Sequence, residues 1–178
     1  MRRKGGFTII EVSLVLAIGG LILMMVFIAL PALRRNQRDA QRREDVLLLL
    51  EKVKDYQQSN RGALPDFPAG GSGTTISWGD STDSSWEEFY RKYLGDKFMD
   101  PNGEHYALEL VTCSGPLNSA CPGDEEATDT WSFSDRSYRI RVARNASCDN
   151  QQIITSSNPR KVAAAYKLEG GGVFCASI

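Results

Sequence analysis

The 178-residue sequence predicts an α+β protein, in which a long N-terminal α-helix, transmembrane and then amphipathic, packs on an antiparallel β-sheet head. Three observations predict it. A long apolar run follows a short basic leader, and a stripe of apolar residues at helical spacing continues that run. The remainder alternates short strand patterns with turn signals and holds all four cysteines.

The leader contains Arg2, Arg3 and Lys4 and ends in Gly5-Gly6. From Val12 to Leu33 the chain is apolar apart from Ser13, Pro31 and small residues, and with Phe7–Ile10 it is long enough to span a bilayer as a helix. One carboxylate, Glu11, lies inside this run. An acid within a membrane span is costly and therefore points to function. A secretory signal has its apolar region before the cut, whereas here the expected cut precedes it and leaves the apolar helix on the mature chain. Cleavage after Gly6 makes Glu11 the fifth residue and creates an α-amino group that can partner it.

After Leu33 the pattern turns polar, with Arg34, Arg35, Arg38, Arg42 and Arg43 among Asp39, Glu44 and Asp45. Lys/Arg near both ends of the span leave the positive-inside rule undecided. Val46, Leu47, Leu49, Leu50, Val53 and Tyr56 then recur at helical spacing. Gly62 is expected at the C′ position of the helix, and Pro65 blocks its continuation. A single helix from about Phe7 to about Asn60 is roughly 80 Å long at ~1.5 Å per residue. The apolar pattern is too short for a sustained coiled coil.

Gly6-Phe7-Thr8-Ile9-Ile10-Glu11 resembles the class III signal of type IV pilins and pseudopilins. The resemblance implies that a prepilin peptidase cuts between Gly6 and Phe7 and methylates the Phe7 amine, and that Glu11 is the family's fifth-position acid. It also implies that the interrupted segment from Gly19-Gly20 to Pro31 extends or bends when the subunit enters a filament. The helix exit Tyr56–Pro65 and the turn Asp100-Pro101-Asn102-Gly103 are similar to pilin and pseudopilin heads. The expected organisation is a leader at 1–6, the transmembrane and assembly half of the helix at 7–33, its amphipathic half at 34–61 and an extracellular head at 62–178.

In the head, residues 66–84 read as an irregular loop. Ser85-Trp86-Glu87-Glu88 is a capping box, with Trp86, Phe89, Tyr90, Tyr93 and Leu94 forming the aromatic face of a short helix before Gly95. The turn at Asp100–Gly103 leads into a strand over His105–Thr112. Tyr138–Val142 alternates as a strand with Tyr138, Ile140 and Val142 inward, and Val162–Leu168 is a further strand despite alanines that would suit a helix. Three or four strands are expected in an antiparallel sheet with its outer face in solvent.

Cys113, Cys121, Cys148 and Cys175 are an even set confined to the head, which fits two disulfides outside the cytoplasm. No C-x2-C pair supports zinc. Three pairings are open, and closing the shortest loops favours Cys113–Cys121 with Cys148–Cys175.

Residues 1–61 carry eleven Lys/Arg against six Asp/Glu, and residues 62–178 carry ten against sixteen. An acidic head argues against nonspecific nucleic-acid binding. Arg139 and Arg141, with Arg136, Arg144, Arg160 and Lys161 near, read as the solvated face of a strand. Asp124, Glu125, Glu126 and Asp129 read as an acidic loop without a fixed calcium pattern. Asn145-Ala146-Ser147 matches the N-glycosylation triplet, and His105 is expected at the surface. No nucleophile–base pair or phosphate loop stands out, so no enzyme activity, cofactor or metal is expected.

The resemblance implies a structural subunit of a type IV pilus, held in the cytoplasmic membrane with its head outside before assembly and in an extracellular filament afterwards. Its implied partners are further copies and other pilins, the prepilin peptidase, the assembly machinery and, before assembly, the membrane. Glu11 is expected to face the Phe7 amine of a neighbour. The competing expectations are a pseudopilin of a type II secretion system and a membrane-anchored binding domain that never polymerises.

Overall fold

A computed structural model of the chain describes residues 6, 8–67, 74–79, 85–121 and 138–178. It divides into two compact units, Met1–Arg38 and Asp39–Ile178. Helix α1, Ile9–Ser59, contributes to both and stays helical through Gly19, Gly20 and Pro31. Phe7 and the basic leader residues lie outside the described residues.

In the first unit the apolar residues of α1 are exposed. This stretch is long and apolar enough to cross a membrane.

In the second unit the end of α1 differs by one position from the expected cap. Arg61 holds the left-handed conformation, with φ 55°, and Gly62 follows at φ 84°. The Gly62 N–H donates to the Gln57 carbonyl at 2.7 Å, the long-range bond of a Schellman turn, so Arg61 is C′ and Gly62 is C″. Apolar residues of α1 enter the core through Val46, Leu49, Leu50 and Val53, each buried at about 1.5–3 kcal/mol.

The head contains β1 (Thr74–Ile76), α2 (Ser85–Phe89), a π-helical turn (Tyr90–Leu94), β2 (Ala107–Thr112), β3 (Arg139–Arg144), β4 (Ala146–Asp149), β5 (Gln152–Thr155), β6 (Val162–Lys167) and β7 (Val173–Ser177). Seven strands are thus described, against the three or four expected. Five form one sheet in the order β1-β2-β3-β6-β7, and β4-β5 is a separate hairpin.

The sheet is mixed, which corrects the expectation of an antiparallel one. β2 and β3 run parallel from Ala107↔Arg139 to Thr112↔Arg144, while every other neighbouring pair in the sheet is antiparallel. Parallel neighbours require a crossover rather than a hairpin, and the chain between Thr112 and Arg139 supplies its length.

Part of the second face of the sheet is also covered, which corrects the expectation that the whole of it lies in solvent. Val162, Ala164 and Tyr166 of β6 join the core with Leu108, Leu110, Ile140, Val142 and α1. Ala163 and Ala165 point the other way, into a second cluster with Val111, Ala143, Ala146 and Ile153. A strand covered on both faces reads as a continuous apolar run, which accounts for the Val-Ala-Ala-Ala-Tyr sequence.

The aromatic helix forms as expected at its start, with Trp86, Phe89 and Tyr90 buried. It then widens, as the Gly95 N–H donates to the Tyr90 carbonyl at 2.9 Å. The Ser85 hydroxyl accepts the Asp66 N–H at 2.7 Å.

Candidate functional site

The N-terminus of α1 is closed by a capping box that the spacing Thr8-Ile9-Ile10-Glu11 encodes. The Thr8 backbone N–H and hydroxyl both donate to Glu11 Oε2 at 2.9 Å. In return the Glu11 N–H donates to Thr8 Oγ1 at 3.3 Å. Glu11 in the single chain therefore occupies a helix N-terminus, where a carboxylate is favoured by the orphan N–H groups and the helix dipole. The Thr-x-x-Glu spacing is the local sequence signal for this role, which the acid's place in an apolar span overshadows. Among the described residues, a Cβ added at Gly6 would meet nothing within 4 Å. Packing against the described residues therefore does not demand glycine at position 6.

The second unit holds a buried ionic cluster. Arg42 is 1% exposed and Asp100 2%. The Arg42 guanidinium donates to both Asp100 oxygens, to Asp39 Oδ1 at 3.3 Å and to Glu169 Oε1 at 2.8 Å. Asp39 in turn accepts the Glu169 and Gly170 N–H groups at 2.9 and 2.8 Å. Tyr166 Oη donates to Asp100 Oδ2 at 3.2 Å. Burial alone would lower the Arg42 pKa, but Asp100, Tyr166 and Glu169 outweigh it, so the pKa is raised and the guanidinium stays charged. One turn further along α1, Asp45 accepts the Tyr106 hydroxyl at 2.7 Å. Burial pushes the Asp45 carboxyl up, the Tyr106 hydrogen bond opposes this, and the nearby Asp100 and Glu44 charges add to it. The cluster ties α1, the Asp100–Gly103 turn and the β6–β7 connection together, and it presents no nucleophile–base arrangement.

The cysteines pair as the short-loop argument favoured. Cys113–Cys121 and Cys148–Cys175 are bonded, with Cα separations of 5.0 and 5.8 Å. The first pins a loop beside β5, and the second ties the β4-β5 hairpin to β7.

Several of the other polar residues singled out in the sequence make contacts within the head. Arg141 lies opposite Glu109 across the parallel pair and meets it at 3.3 Å. Arg144 sits over the Phe67 ring at 5.6 Å. The Arg160 carbonyl accepts Gln57 Nε2 at 2.9 Å. Asn145 has φ 57° and turns its amide toward the Cys113 carbonyl at 3.4 Å. His105 is half-buried, stacked on Trp78 at 5.0 Å, and so departs from the expected surface position. Among the described residues no group of three His, Cys, Asp or Glu side chains could hold a metal. Asp124, Glu125, Glu126, Asp129 and Arg136 lie outside the described residues.

Residues 1–27 match the family model of the prokaryotic N-terminal methylation motif. No curated protein and no solved structure matched the chain. The chain thus carries the class III signal of type IV pilins and pseudopilins. Its α+β layout, with a long apolar N-terminal helix and a sheet-bearing head, is consistent with the pilin fold. The motif covers the leader and the start of α1, and the helix behind it is long and apolar enough to cross a membrane.

Proposed function

We propose that the chain is a structural subunit of a type IV pilus. Prepilin peptidase cuts after Gly6 and methylates Phe7, and the subunit then assembles with further copies through residues 7–33. The methylation motif at the head of an exposed apolar helix carries this reading. In the membrane that apolar surface faces lipid, and in a filament it faces other helices, whose close packing and paired polar groups drive association. Glu11 then exchanges its Thr8 cap for the Phe7 amine of a neighbour, so that an acid buried in the filament is paired. The head, residues 62–178, is extracellular, in keeping with its two disulfides.

That no packing contact among the described residues requires glycine at position 6 supports a role for Gly6 in recognition by the peptidase. The test is peptide mass spectrometry of filaments sheared from cells. The expected mature N-terminus is N-methyl-Phe7. A chain in the filament fraction that still begins at Met1, or its complete absence from that fraction, overturns the proposal.

A further inference from the structure

The outward face of α1 within Asp39–Ile178 takes no part in the head's core. Ala40, Arg43, Glu44, Leu47, Leu48, Glu51 and Lys54 are exposed there, opposite the buried Val46, Leu49, Leu50 and Val53. Leu47 is 51% exposed and Leu48 39%; with Leu117 they are the exposed large apolar side chains among the described residues of this unit. Charge divides the face lengthwise. At 3.6 residues per turn, Arg43, Leu47 and Lys54 fall along one edge, and Glu44, Leu48 and Glu51 along the other. The Arg43 guanidinium is held over the Phe174 ring at 5.8 Å, which fixes it at its edge.

We infer that this divided face is a contact between copies of the chain, with the basic edge of one α1 lying beside the acidic edge of the next. The inference rests on the filament reading above and names the contact in this part of the helix. Charge complementarity selects the occupant and its direction. An antiparallel pair meeting across this face sets basic edge against basic and acidic against acidic. Parallel copies side by side set Arg43 and Lys54 against Glu44 and Glu51 and bring Leu47 to Leu48. Parallel is also the direction imposed on chains that all enter the membrane by the same end. In this side-by-side arrangement the contact is heterologous: each copy keeps an unused edge for the next, and the array propagates instead of closing. The leucines exclude water from the contact, and the charges fix direction and register.

The test uses the full-length chain in cells that assemble it. R43E/K54E reverses one edge, and E44K/E51K reverses the other. Each should insert, lose its leader and form both disulfides, yet lower filament yield by roughly tenfold or more. Co-expressing the two variants should restore filaments containing both, because each then offers an edge complementary to the other. Wild-type yield from either variant, or no recovery on co-expression, overturns the inference. As a second measurement, a photocrosslinking amino acid at Leu47 should join a peptide containing Leu48 of another copy in wild-type-like filaments, and crosslinks only elsewhere also overturn it. These failures leave processing and wild-type assembly intact. Failure of the filament reading would instead remove the wild-type filament itself.

Discussion

Arg42 grips both carboxylate oxygens of Asp100, with Nε to Oδ2 at 2.7 Å and Nη2 to Oδ1 at 3.2 Å, across 58 positions of sequence. The fork is buried, and removing one member strands the other's charge away from water. Arg42→Met is therefore expected to cost about 3–5 kcal/mol. Arg42→Lys should recover only part of this, since an ammonium cannot reproduce a planar two-point grip. Urea unfolding of the full-length chain in detergent, followed by tryptophan fluorescence, measures both. A midpoint for Arg42→Met equal to wild type would remove the fork from any account of stability.

This cluster also marks where sequence reading ends. The strands at β2, β3 and β6 were legible because Leu108-Leu110 and Ile140-Val142 alternate and because strong turn residues precede β2. The amphipathic end of α1 was legible from spacing alone. The pairing of Arg42 with Asp39, Asp100 and Glu169 was not, because it depends on which distant elements meet. The parallel β2-β3 neighbours were not legible for the same reason: alternation reveals a strand but not its partner's direction. β7 escaped because Val173–Ser177 follows Gly170-Gly171-Gly172 and reads as a tail, and its strand character comes from pairing with β6. At the functional end, the methylation motif was fully local and hence readable, while the Thr8–Glu11 box within it went unread beside the stronger signal of an acid in a membrane span.

Asp45 provides a pH prediction. Its pKa is raised in the folded chain, chiefly by burial. An acid whose folded pKa lies above its unfolded value costs stability when ionised, and that cost disappears as pH falls through the folded pKa. Asp45→Asn removes the charge while keeping an acceptor for the Tyr106 hydroxyl. The variant should be more stable than wild type at pH 7, and the difference should shrink toward pH 4. Urea midpoints at the two pH values decide it, and a gap that widens on acidification would contradict the sign.

The two disulfides should differ in what they contribute. Cys148–Cys175 closes a sequence separation of 27 residues, and Cys113–Cys121 one of 8. By loop-closure entropy the longer link is worth about 1 kcal/mol more. It also holds the β4-β5 hairpin on β7, where Gln151 Oε1 accepts the Val173 N–H at 3.0 Å. Replacing Cys148 and Cys175 by Ala should lower the urea midpoint more than replacing Cys113 and Cys121. The reverse order would show that the short loop's packing beside β5 outweighs chain entropy.

Arg61 carries a backbone strain that glycine relieves. At φ 55° a side chain's Cβ is crowded, at a cost of roughly 1–2 kcal/mol. Glycine accepts this conformation but loses more entropy on folding. Arg61→Gly is expected to stabilise by up to about 1 kcal/mol, read as a higher melting temperature with unchanged processing. A loss of stability would show that the Arg61 side chain contributes more than the turn costs it.

Glu11 has two roles that one substitution separates. In the single chain it caps its own helix, accepting from the Thr8 N–H and hydroxyl at 2.9 Å. In the proposed filament it answers the charge of a neighbour's Phe7 amine. Gln fits the capping box as well as Glu does, because its side-chain carbonyl can accept the same donors. Glu11→Gln should therefore insert, keep its helix and lose its leader normally, while filament yield falls at least roughly tenfold because a buried cation is left without its carboxylate. Thr8→Val tests the converse: it deletes the hydroxyl of the cap and keeps the acid, and filaments should persist. Immunoblots of leader cleavage together with quantified sheared filaments read out both variants. Wild-type filament yield from Glu11→Gln would mean that hydrogen bonding, and not charge, is what position 11 contributes. Loss of filaments from Thr8→Val with normal cleavage would assign the assembly role to the box as a whole.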